Sequence, residues 1–467
     1  MSETGLKRAQ DKMAAAGIHQ QAIDVFSHYY RQLEEGVSGF IPEDSIEPLL
    51  SPPMLSDLAV SEQDAAAALG KTVIIKLNGG LGTSMGMDKA KSLLPVRKGQ
   101  TFLNIIVDQV RHARAAYGIR LPLLFMNSFR TDADTLAALA SYSDLAVADL
   151  DLGFLQNQEP KLRADDLTPV EWPADPSLEW CPPGHGDLYT AFATSGILDR
   201  LLSLGYRYAS VSNSDNLGAA PNATIAGWFA GSGAPYAAEI CRRTPADRKG
   251  GHLAIRKVDR RLILRDTAQT RKEEMHFFTD EFRHPFFHTN NLWFDLEVLD
   301  RTLRERSSVL GLPLIKNEKT VDPAEPSSPR VIQIETAMGA AVEVFEGATA
   351  IGVGRDRFVP VKTTSDLLVL RSDAYELEAD SQLSKVAHPT PVVDLDDRYY
   401  KIIAEFDHRF PTGPPSLKDA RYLGIKGDWS FEADVRVVGA VNLDDRGEPQ
   451  IIAAGSTLSD GAGPAAG

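Results

Sequence analysis

The sequence has few of the features that mark disulfide-stabilised, membrane-spanning or cysteine-ligated proteins. Only two of its 467 residues are cysteines, Cys181 and Cys241, and neither belongs to a CxxC pair. A disulfide framework is therefore not expected, and we predict a reducing, cytoplasmic setting. No apolar stretch approaches the roughly 20 residues that span a bilayer, and residues 1–17 lack the apolar core of a secretory signal.

Positive charge is also scarce. Lys and Arg number 49 against 64 Asp and Glu, and the net charge is −15. Such a surface repels nucleic acids and anionic membranes, so we expect neither as a partner. The same field would repel a free nucleotide. A phosphate ligand would therefore require individual lysines gathered from loops at one place.

The apolar pattern predicts an α/β domain over residues 71–388. Short continuous apolar runs, which are typical of buried parallel strands, alternate with helical periodicities. We predict strands at 71–77, 121–126, 208–211 and 288–294, a hairpin of 252–255 with 262–264, and helices from Thr101, at 188–204 and at 333–345. Ligands of such sheets bind beyond the carboxyl ends of the strands. The polar turns that follow the strands are therefore the candidate site.

The two ends of the chain have different patterns. Apolar residues at helical spacing predict an N-terminal helical segment over residues 1–70. A proline-rich, acidic stretch from residue 389 suggests a boundary, and short alternating apolar runs after Gly424 predict a small β domain over 389–455. Residues 456–467 are small and polar, and we predict a flexible tail.

A glycine-rich loop follows the first predicted strand. Residues 77–92 read LNGGLGTSMGMDKAKS. The loop fits neither GxxxxGK[ST] nor GxGxxG, because the last glycine comes one position late for both. Its glycines would still let backbone N–H groups approach a polyphosphate, with Lys91 or Lys89 supplying charge. The alternative is a mobile surface loop.

Three further turns are candidates, each with a structural alternative. Residues 182–187 read PPGHGD, and the glycines beside His185 permit close contact with a ligand or simply begin a helix. Residues 212–216 read SNSDN, where Asp215 could hold Mg²⁺ or form an Asx turn or a helix cap. Lys362 precedes a predicted helix capped by Thr364 or Ser365. Lys362 and the start of this helix could form an anion site, or the lysine could simply be solvated.

Together these motifs resemble the eukaryotic-type UTP–glucose-1-phosphate uridylyltransferase (UDP-glucose pyrophosphorylase) family. The resemblance covers about residues 20–450. Its hallmarks occur here in the family's order: LNGGLGTSMG at 77–86, MNSF at 126–129, PPGHGD at 182–187, SNSDNLGA at 212–219, TNNLW at 289–293, QIETAMGAA at 333–341 and VKTTSDLL at 361–368. One departure is visible, because the family's CKGPKS is MDKAKS here, at 87–92. The last lysine is kept, the first is displaced by one position, and Asp88 is new.

The resemblance implies a fold and a reaction. The fold is a Rossmann-like nucleotidyltransferase core of glycosyltransferase-A type with a mixed, mostly parallel sheet, an N-terminal helical segment and a C-terminal left-handed β-helix-like domain. In relatives that domain often contacts another subunit, so a homo-oligomer could form through it. The reaction is Mg²⁺-dependent: glucose 1-phosphate attacks the α-phosphorus of UTP in line, giving UDP-glucose and pyrophosphate.

Two alternatives stay open. One is an enzyme for other sugars, such as a broad UDP-sugar pyrophosphorylase or one for galactose 1-phosphate or N-acetylglucosamine 1-phosphate. The N-acetylhexosamine relatives resemble LxGGxGTRLG and carry Arg where Ser84 stands, which argues against them. The other alternative is a nucleotide-sugar binding protein that has lost catalysis.

The resemblance also implies roles for single residues. Lys362 and Lys91 would be catalytic, with Lys362 between the reacting phosphates and Lys91 on the triphosphate. Asp215 would be the Mg²⁺ ligand, and His185 would orient the substrate rather than act as acid or base. Nucleotide contacts are implied for Leu77, Asn78, Gly79, Gly80, Lys91, Met126, Gln156, Gly184, Asp215 and Lys362. Substrate contacts are implied for Gly79, Gly80, His185, Asn213, Asp215 and Asn290.

Overall fold

The computed structural model describes residues 2–37, 39–244 and 247–460. The α-helices within these ranges are α1 (Ser2–Ala15), α2 (Gln20–Glu34), α3 (Glu62–Leu69), α4 (Phe102–Tyr117), α5 (Asp132–Leu139), α6 (Leu188–Thr194), α7 (Ile197–Ser203), α8 (Ala223–Ser232), α9 (Met275–Phe278), α10 (Leu296–Glu305), α11 (Thr364–Arg371), α12 (Asp397–Tyr400) and α13 (Ile403–Arg409).

The strands of the same ranges are β1 (Ile46–Pro48), β2 (Thr72–Asn78), β3 (Pro95–Arg97), β4 (Gln100–Thr101), β5 (Leu123–Asn127), β6 (Gly153–Leu155), β7 (Glu159–Pro160), β8 (Leu162–Arg163), β9 (Trp180–Cys181), β10 (Tyr208–Asn213), β11 (Tyr236–Arg242), β12 (His252–Arg256), β13 (Leu262–Arg265), β14 (Phe286–Asp295), β15 (Ile315–Thr320), β16 (Arg330–Glu335), β17 (Thr349–Val353), β18 (Tyr375–Leu377), β19 (Leu383–Lys385), β20 (Val392–Leu395), β21 (Ser416–Ile425), β22 (Trp429–Phe431), β23 (Arg436–Leu443), β24 (Gln450–Ile452) and β25 (Thr457–Ser459).

A seven-stranded sheet forms the centre of the molecule, in the order β17-β11-β14-β10-β2-β5-β6. The strand β14 runs antiparallel to both of its neighbours, β11 and β10, and the other pairs are parallel. The predicted mixed α/β fold with a mostly parallel central sheet is confirmed.

Helices cover both faces of this sheet, as the continuous apolar strands predict. Every residue of β2 is buried. Its side chains alternate between two cores: Ile74 packs into one with Phe102 and Phe229, and Val73 packs into the other with Phe192. The helix α4 begins at the predicted place, where the Thr101 hydroxyl accepts the Asn104 N–H in a capping box.

Two predicted helices differ from the structure. The helix predicted at 188–204 is interrupted at Gly196, which has φ of 75°, and forms α6 and α7. The helix predicted at 333–345 is wrong. Residues Arg330–Glu335 form β16, because β15 and β8 supply strand partners on its two sides. A 3₁₀-helix at Met338–Glu343 follows.

The predicted hairpin of β12 and β13 is confirmed, and β1 adds to it as a third antiparallel strand. The N-terminal segment therefore contributes a strand as well as the helices α1 to α3. A buried ion pair reinforces this junction, because the Arg265 guanidinium contacts the carboxylates of Glu43 and Glu274.

The C-terminal region is built from parallel ladders. The strands β20, β21, β23 and β25 pair side by side in parallel, and β22 pairs with β24. The predicted flexible tail begins inside this ladder, because residues 457–459 pair with 436–438. Residues 461–467 lie outside the described residues. Across the described ranges, no helix combines the length and the apolar character that crossing a membrane requires.

Candidate active site

The predicted site residues meet at the carboxyl edge of the sheet because four parallel strands end there in register. Asn213 on β10 lies opposite Leu77 on β2, and Leu77 lies opposite Met126 on β5. One residue further along the strands, Asn127 lies opposite Leu155, which precedes Gln156. Residues far apart in sequence are thereby brought to one surface.

The side chain of Asn78 is part of the scaffold at this edge. It is buried, its Nδ2 donates to Asn127 Oδ1 at 2.9 Å and to Thr135 Oγ1 at 2.8 Å, and its Oδ1 accepts the Ser214 hydroxyl at 3.1 Å. The amide therefore ties β2 to β5 and to the turn after β10. Only its backbone is left to line a ligand.

Glycines allow two loops to come close to Gln156. The Gln156 Nε2 donates to the Gly184 carbonyl at 2.7 Å. A Cβ on Gly79 would lie 3.0 Å from Gln156 Oε1, and one on Gly184, where φ is 76°, would lie 2.6 Å from the Thr336 carbonyl oxygen. Gly80 faces open space, since no described atom lies within 4 Å of its would-be Cβ. The backbone at Gly79 and Gly80 can thus approach a bound group.

His185 is held as a neutral imidazole. The Met338 backbone N–H donates to its Nδ1 at 3.0 Å, so the ring proton lies on Nε2. Burial lowers the pKa of His185 to about 4. Burial, followed by the proximity of His185, also lowers the pKa of His288 to about 4. At neutral pH His185 is therefore a hydrogen-bond donor through Nε2 and carries no charge.

Asp187 is a buried carboxyl behind this turn. The backbone N–H of Asn157 donates to its Oδ2 at 2.6 Å and the Asn157 side chain to its Oδ1 at 2.9 Å. Burial raises the pKa of Asp187 to about 7, although the two bonds from Asn157 oppose the rise. Its side chain makes no capping hydrogen bond to α6. The turn leads directly into α6, which begins at Leu188, so the helix start that the sequence offered as an alternative is present.

Lys91 and Asp215 form an ion pair at the centre of the edge. Lys91 Nζ lies 2.6 Å from Asp215 Oδ2, and the two side chains are only 16% and 18% exposed. The same ammonium donates to the Val361 carbonyl, and the Lys91 N–H donates to the Gly80 carbonyl at 3.0 Å. One lysine thus joins the glycine-rich loop, the turn after β10 and the segment before α11. The unusual neighbours Asp88 and Lys89 are exposed.

Lys362 stands exposed beside this ion pair, one residue after Val361. Within the described residues its ammonium makes no hydrogen bond or ion pair. The helix α11 is capped by Thr363, not by Thr364 or Ser365, in a capping box with Asp366. Asp366 Oδ2 also accepts the Lys362 N–H at 2.8 Å. The backbone of this lysine is fixed, and its side chain is available to an anion.

Asn290 lies in a bulge of the antiparallel strand β14. The pairing with β11 shifts between Ala238 and Ile240, and Asn290 adopts φ of 61°. The Thr289 hydroxyl donates to the Glu239 carbonyl at 2.7 Å and fixes the bulge. Bulges of this kind re-aim side chains next to active sites.

Asp215 stands alone as a carboxylate for a metal. No group of three or more His, Cys, Asp or Glu side chains suited to a metal ion occurs in the described ranges. The Lys91 ammonium on Asp215 shows that the carboxylate accepts a cation. A divalent ion here would take most of its ligands from phosphate and water, which suits Mg²⁺.

Several residues of the site were missed from the sequence. Thr336 packs against Gly184 and Gly186, His288 lies beside His185, and Asn216 is buried next to Asp215. Each of these residues lies within one of the family motifs or next to one, and this was the only hint of their role in the sequence. Their side-chain partners lie 75 or more residues away in the chain and could not be identified from spacing.

Comparisons with known proteins find one family repeatedly. The family model of UTP–glucose-1-phosphate uridylyltransferase matches residues 23–437. The UTP–glucose-1-phosphate uridylyltransferase of Saccharomyces cerevisiae is 38% identical over 82% of this chain and 76% of its own. The UDP-glucose pyrophosphorylase of Leishmania major, crystallised as a variant in complex with UDP-glucose, is 40% identical with a TM-score of 0.92 over 98% of both chains. A Trypanosoma brucei structure is 42% identical with a TM-score of 0.90 over the same shares.

Proposed function

Because the chain belongs to the UTP–glucose-1-phosphate uridylyltransferase family, we propose that its candidate active site transfers the uridylyl group of UTP to glucose 1-phosphate. The products are UDP-glucose and pyrophosphate. The chain is a nucleotidyltransferase, and the glycine-rich loop that fits neither standard phosphate template serves this chemistry.

One observation carries the assignment of the site. The Lys91 ammonium contacts Asp215 and the carbonyl that precedes Lys362. Two lysines and a carboxylate from three distant segments thus converge where four parallel strands end. In a chain of net charge −15, such a convergence provides the local positive charge that a triphosphate requires.

The mechanism needs positioning and charge neutralisation more than proton transfer. The attacking oxygen of the sugar phosphate is already anionic, so no general base is required. Holding two anions in line lowers the barrier only if their repulsion is offset. Lys362, whose ammonium is unengaged among the described residues, would neutralise the sugar phosphate and the α-phosphate. Lys91 would hold the β- and γ-phosphates, and the neutral His185 would donate through Nε2 to a substrate oxygen.

Asp215 would hold the Mg²⁺ ion, which supplies charge neutralisation to phosphate oxygens when it is bound. We expect Asp215→Asn to weaken metal binding as well as turnover, since an amide lacks the carboxylate charge. Water-proton relaxation with Mn²⁺ and UTP measures the metal directly. Wild-type Mn²⁺ affinity in this variant would contradict the ligand assignment.

The remaining features of the family are proposals supported by the architecture. The core would be of the glycosyltransferase-A type. The C-terminal parallel ladders would form a left-handed β-helix through which copies of the chain could associate. The domain limits would be 1–70, 71–388 and a C-terminal domain from 389 that includes the strand Thr457–Ser459. The two buried free cysteines suit a cytoplasmic enzyme.

The experiment is a panel of sugar 1-phosphates combined with UTP and other nucleoside triphosphates, with pyrophosphate release as the readout. We expect the highest kcat/KM with UTP and glucose 1-phosphate. Comparable values for galactose 1-phosphate would indicate the broader UDP-sugar enzyme. No release at micromolar enzyme, with UDP-glucose still bound, would indicate the non-catalytic binding protein.

A further inference from the structure

Asn216 is a buried amide that joins three segments of the candidate active site. Its Nδ2 donates to Asn291 Oδ1 at 3.2 Å and to the Arg357 carbonyl at 3.1 Å, and its Oδ1 accepts the Val359 N–H at 2.9 Å. Only 2% of the residue is exposed. A side chain this buried, with both ends of its amide engaged, has a fixed orientation.

The partners of Asn216 are next to residues with proposed roles. Asn216 follows Asp215 directly, Asn291 follows Asn290, and Val359 precedes Lys362 by three residues. The backbone continues the connection, since Asn216 forms a β-bridge with Pro360 and the Val361 N–H donates to the Asp215 carbonyl at 3.3 Å. The Asn216 amide therefore lies where three segments meet: the turn that carries Asp215, the strand that carries Asn290 and the segment that carries Lys362.

A buried ion pair makes this junction rigid. The Arg357 guanidinium binds both carboxylate oxygens of Glu239, at 2.7 and 2.9 Å, and donates to the Ala220 carbonyl at 2.9 Å. Burial would raise the pKa of Glu239, but the charge and hydrogen bonds of Arg357, with bonds from Trp293 and Asn291, lower it. The pair therefore stays charged, and the Arg357 carbonyl that accepts from Asn216 stays in place.

We infer that Asn216 is a positioning residue that sets the separation between Asp215 and Lys362. This inference rests on the proposed function, in which both residues neutralise the reacting phosphates. Misplacement of a catalytic group by about 1 Å can cost roughly 100-fold in rate. The Asn216 amide acts through its two neighbours and touches no substrate itself.

The test is the isosteric variant Asn216→Asp. The new side chain keeps an acceptor for the Val359 N–H but turns an anionic oxygen toward the two carbonyl oxygens that the amide bonded. We expect kcat to fall about 10- to 100-fold, with the KM for UTP within about threefold, because the nucleotide loop is untouched. A matched control is Asn222→Asp. Asn222 caps α8 through its side-chain oxygen, a place that Asp fills equally well, so kcat should match wild type.

The control separates positioning from general damage, since Asn222 is replaced by the same residue. A kcat of Asn216→Asp within twofold of wild type, or an equal loss of kcat in Asn222→Asp, would overturn the inference.

A second readout does not depend on activity. In Asn216→Ala, amide hydrogen exchange of Phe358, Val359 and Val361 should accelerate at least tenfold while α4 exchanges as in wild type. Unchanged exchange in that segment would overturn the inference. If wild-type protein makes no UDP-glucose, the proposed function fails, and the exchange result alone decides whether Asn216 fixes these segments.

Discussion

Replacement of Lys91 by Met removes the ammonium that joins three segments of the site, while the side chain keeps an unbranched apolar stem. In the structure this group makes two hydrogen bonds, to the Asp215 carboxylate and the Val361 carbonyl. A hydrogen bond to a charged group contributes about 1.5–3 kcal/mol, but the pair is partly solvated, so we expect a stability loss of about 1–2 kcal/mol. The catalytic loss should be larger, because the donor to the triphosphate disappears: about 100- to 1000-fold in kcat, or roughly 3–4 kcal/mol.

The assay is UDP-glucose formation at varied UTP, with thermal unfolding of the same samples. Lys89→Met is the matched control, since Lys89 is exposed two residues earlier in the same loop, and it should keep kcat within about threefold. This pair also decides whether the displaced first lysine of the loop contributes. A Lys91→Met enzyme with near wild-type kcat/KM for UTP would refute the reasoning. So would a collapse of thermal stability that accounts for the lost activity.

Two further predictions follow from the same geometry. Lys362→Ala should lower kcat by about 100-fold or more with unchanged thermal unfolding, because the side chain is exposed and unengaged among the described residues; near-normal turnover would remove its proposed role. Asp187→Asn should change how stability depends on pH. The pKa of Asp187 is about 7 in the folded chain, so unfolding releases its proton and wild-type stability falls as the pH rises toward 7. The variant lacks this decline, which amounts to roughly 2–3 kcal/mol between pH 5 and 7. An equal change in the free energy of urea unfolding between the two pH values in wild type and variant would contradict the prediction.

The sequence identifies the strands of the central sheet and the turns that follow them, because a buried strand is a local apolar run. The β2 strand at Thr72–Asn78 and the β12–β13 hairpin lie where the pattern places them. The prediction of a helix at 333–345 is wrong because the local pattern there does not determine the structure. Its apolar residues suit a helix and a strand alike, and the partners that decide for a strand, Ile315–Thr320 and Leu162–Arg163, are distant in the chain.

The candidate active site was likewise predictable from the sequence only in part. Lys91, Asp215 and Lys362 belong to recognisable turns, and the structure brings them together. The Asn216 amide and the Arg357–Glu239 pair have no local pattern, since each interaction joins residues more than 70 positions apart. The sequence also could not show that the Asn78 side chain is fully engaged by the scaffold. Hydrogen-bond saturation is a property of three-dimensional surroundings.

The antiparallel strand β14 has a consequence for how this chain can vary in length. The strand β11 ends at Arg242 and β14 begins at Phe286, and these two residues are paired in the sheet. Residues 243–285 therefore leave and re-enter the sheet at the same point, on the edge where the candidate active site lies. Insertions or deletions in the loops of this excursion, outside the β12–β13 hairpin that pairs with β1, shift no register in the central sheet. Length variation among natural homologues should therefore concentrate in these loops, where it reshapes the rim of the candidate active site without disturbing the central sheet.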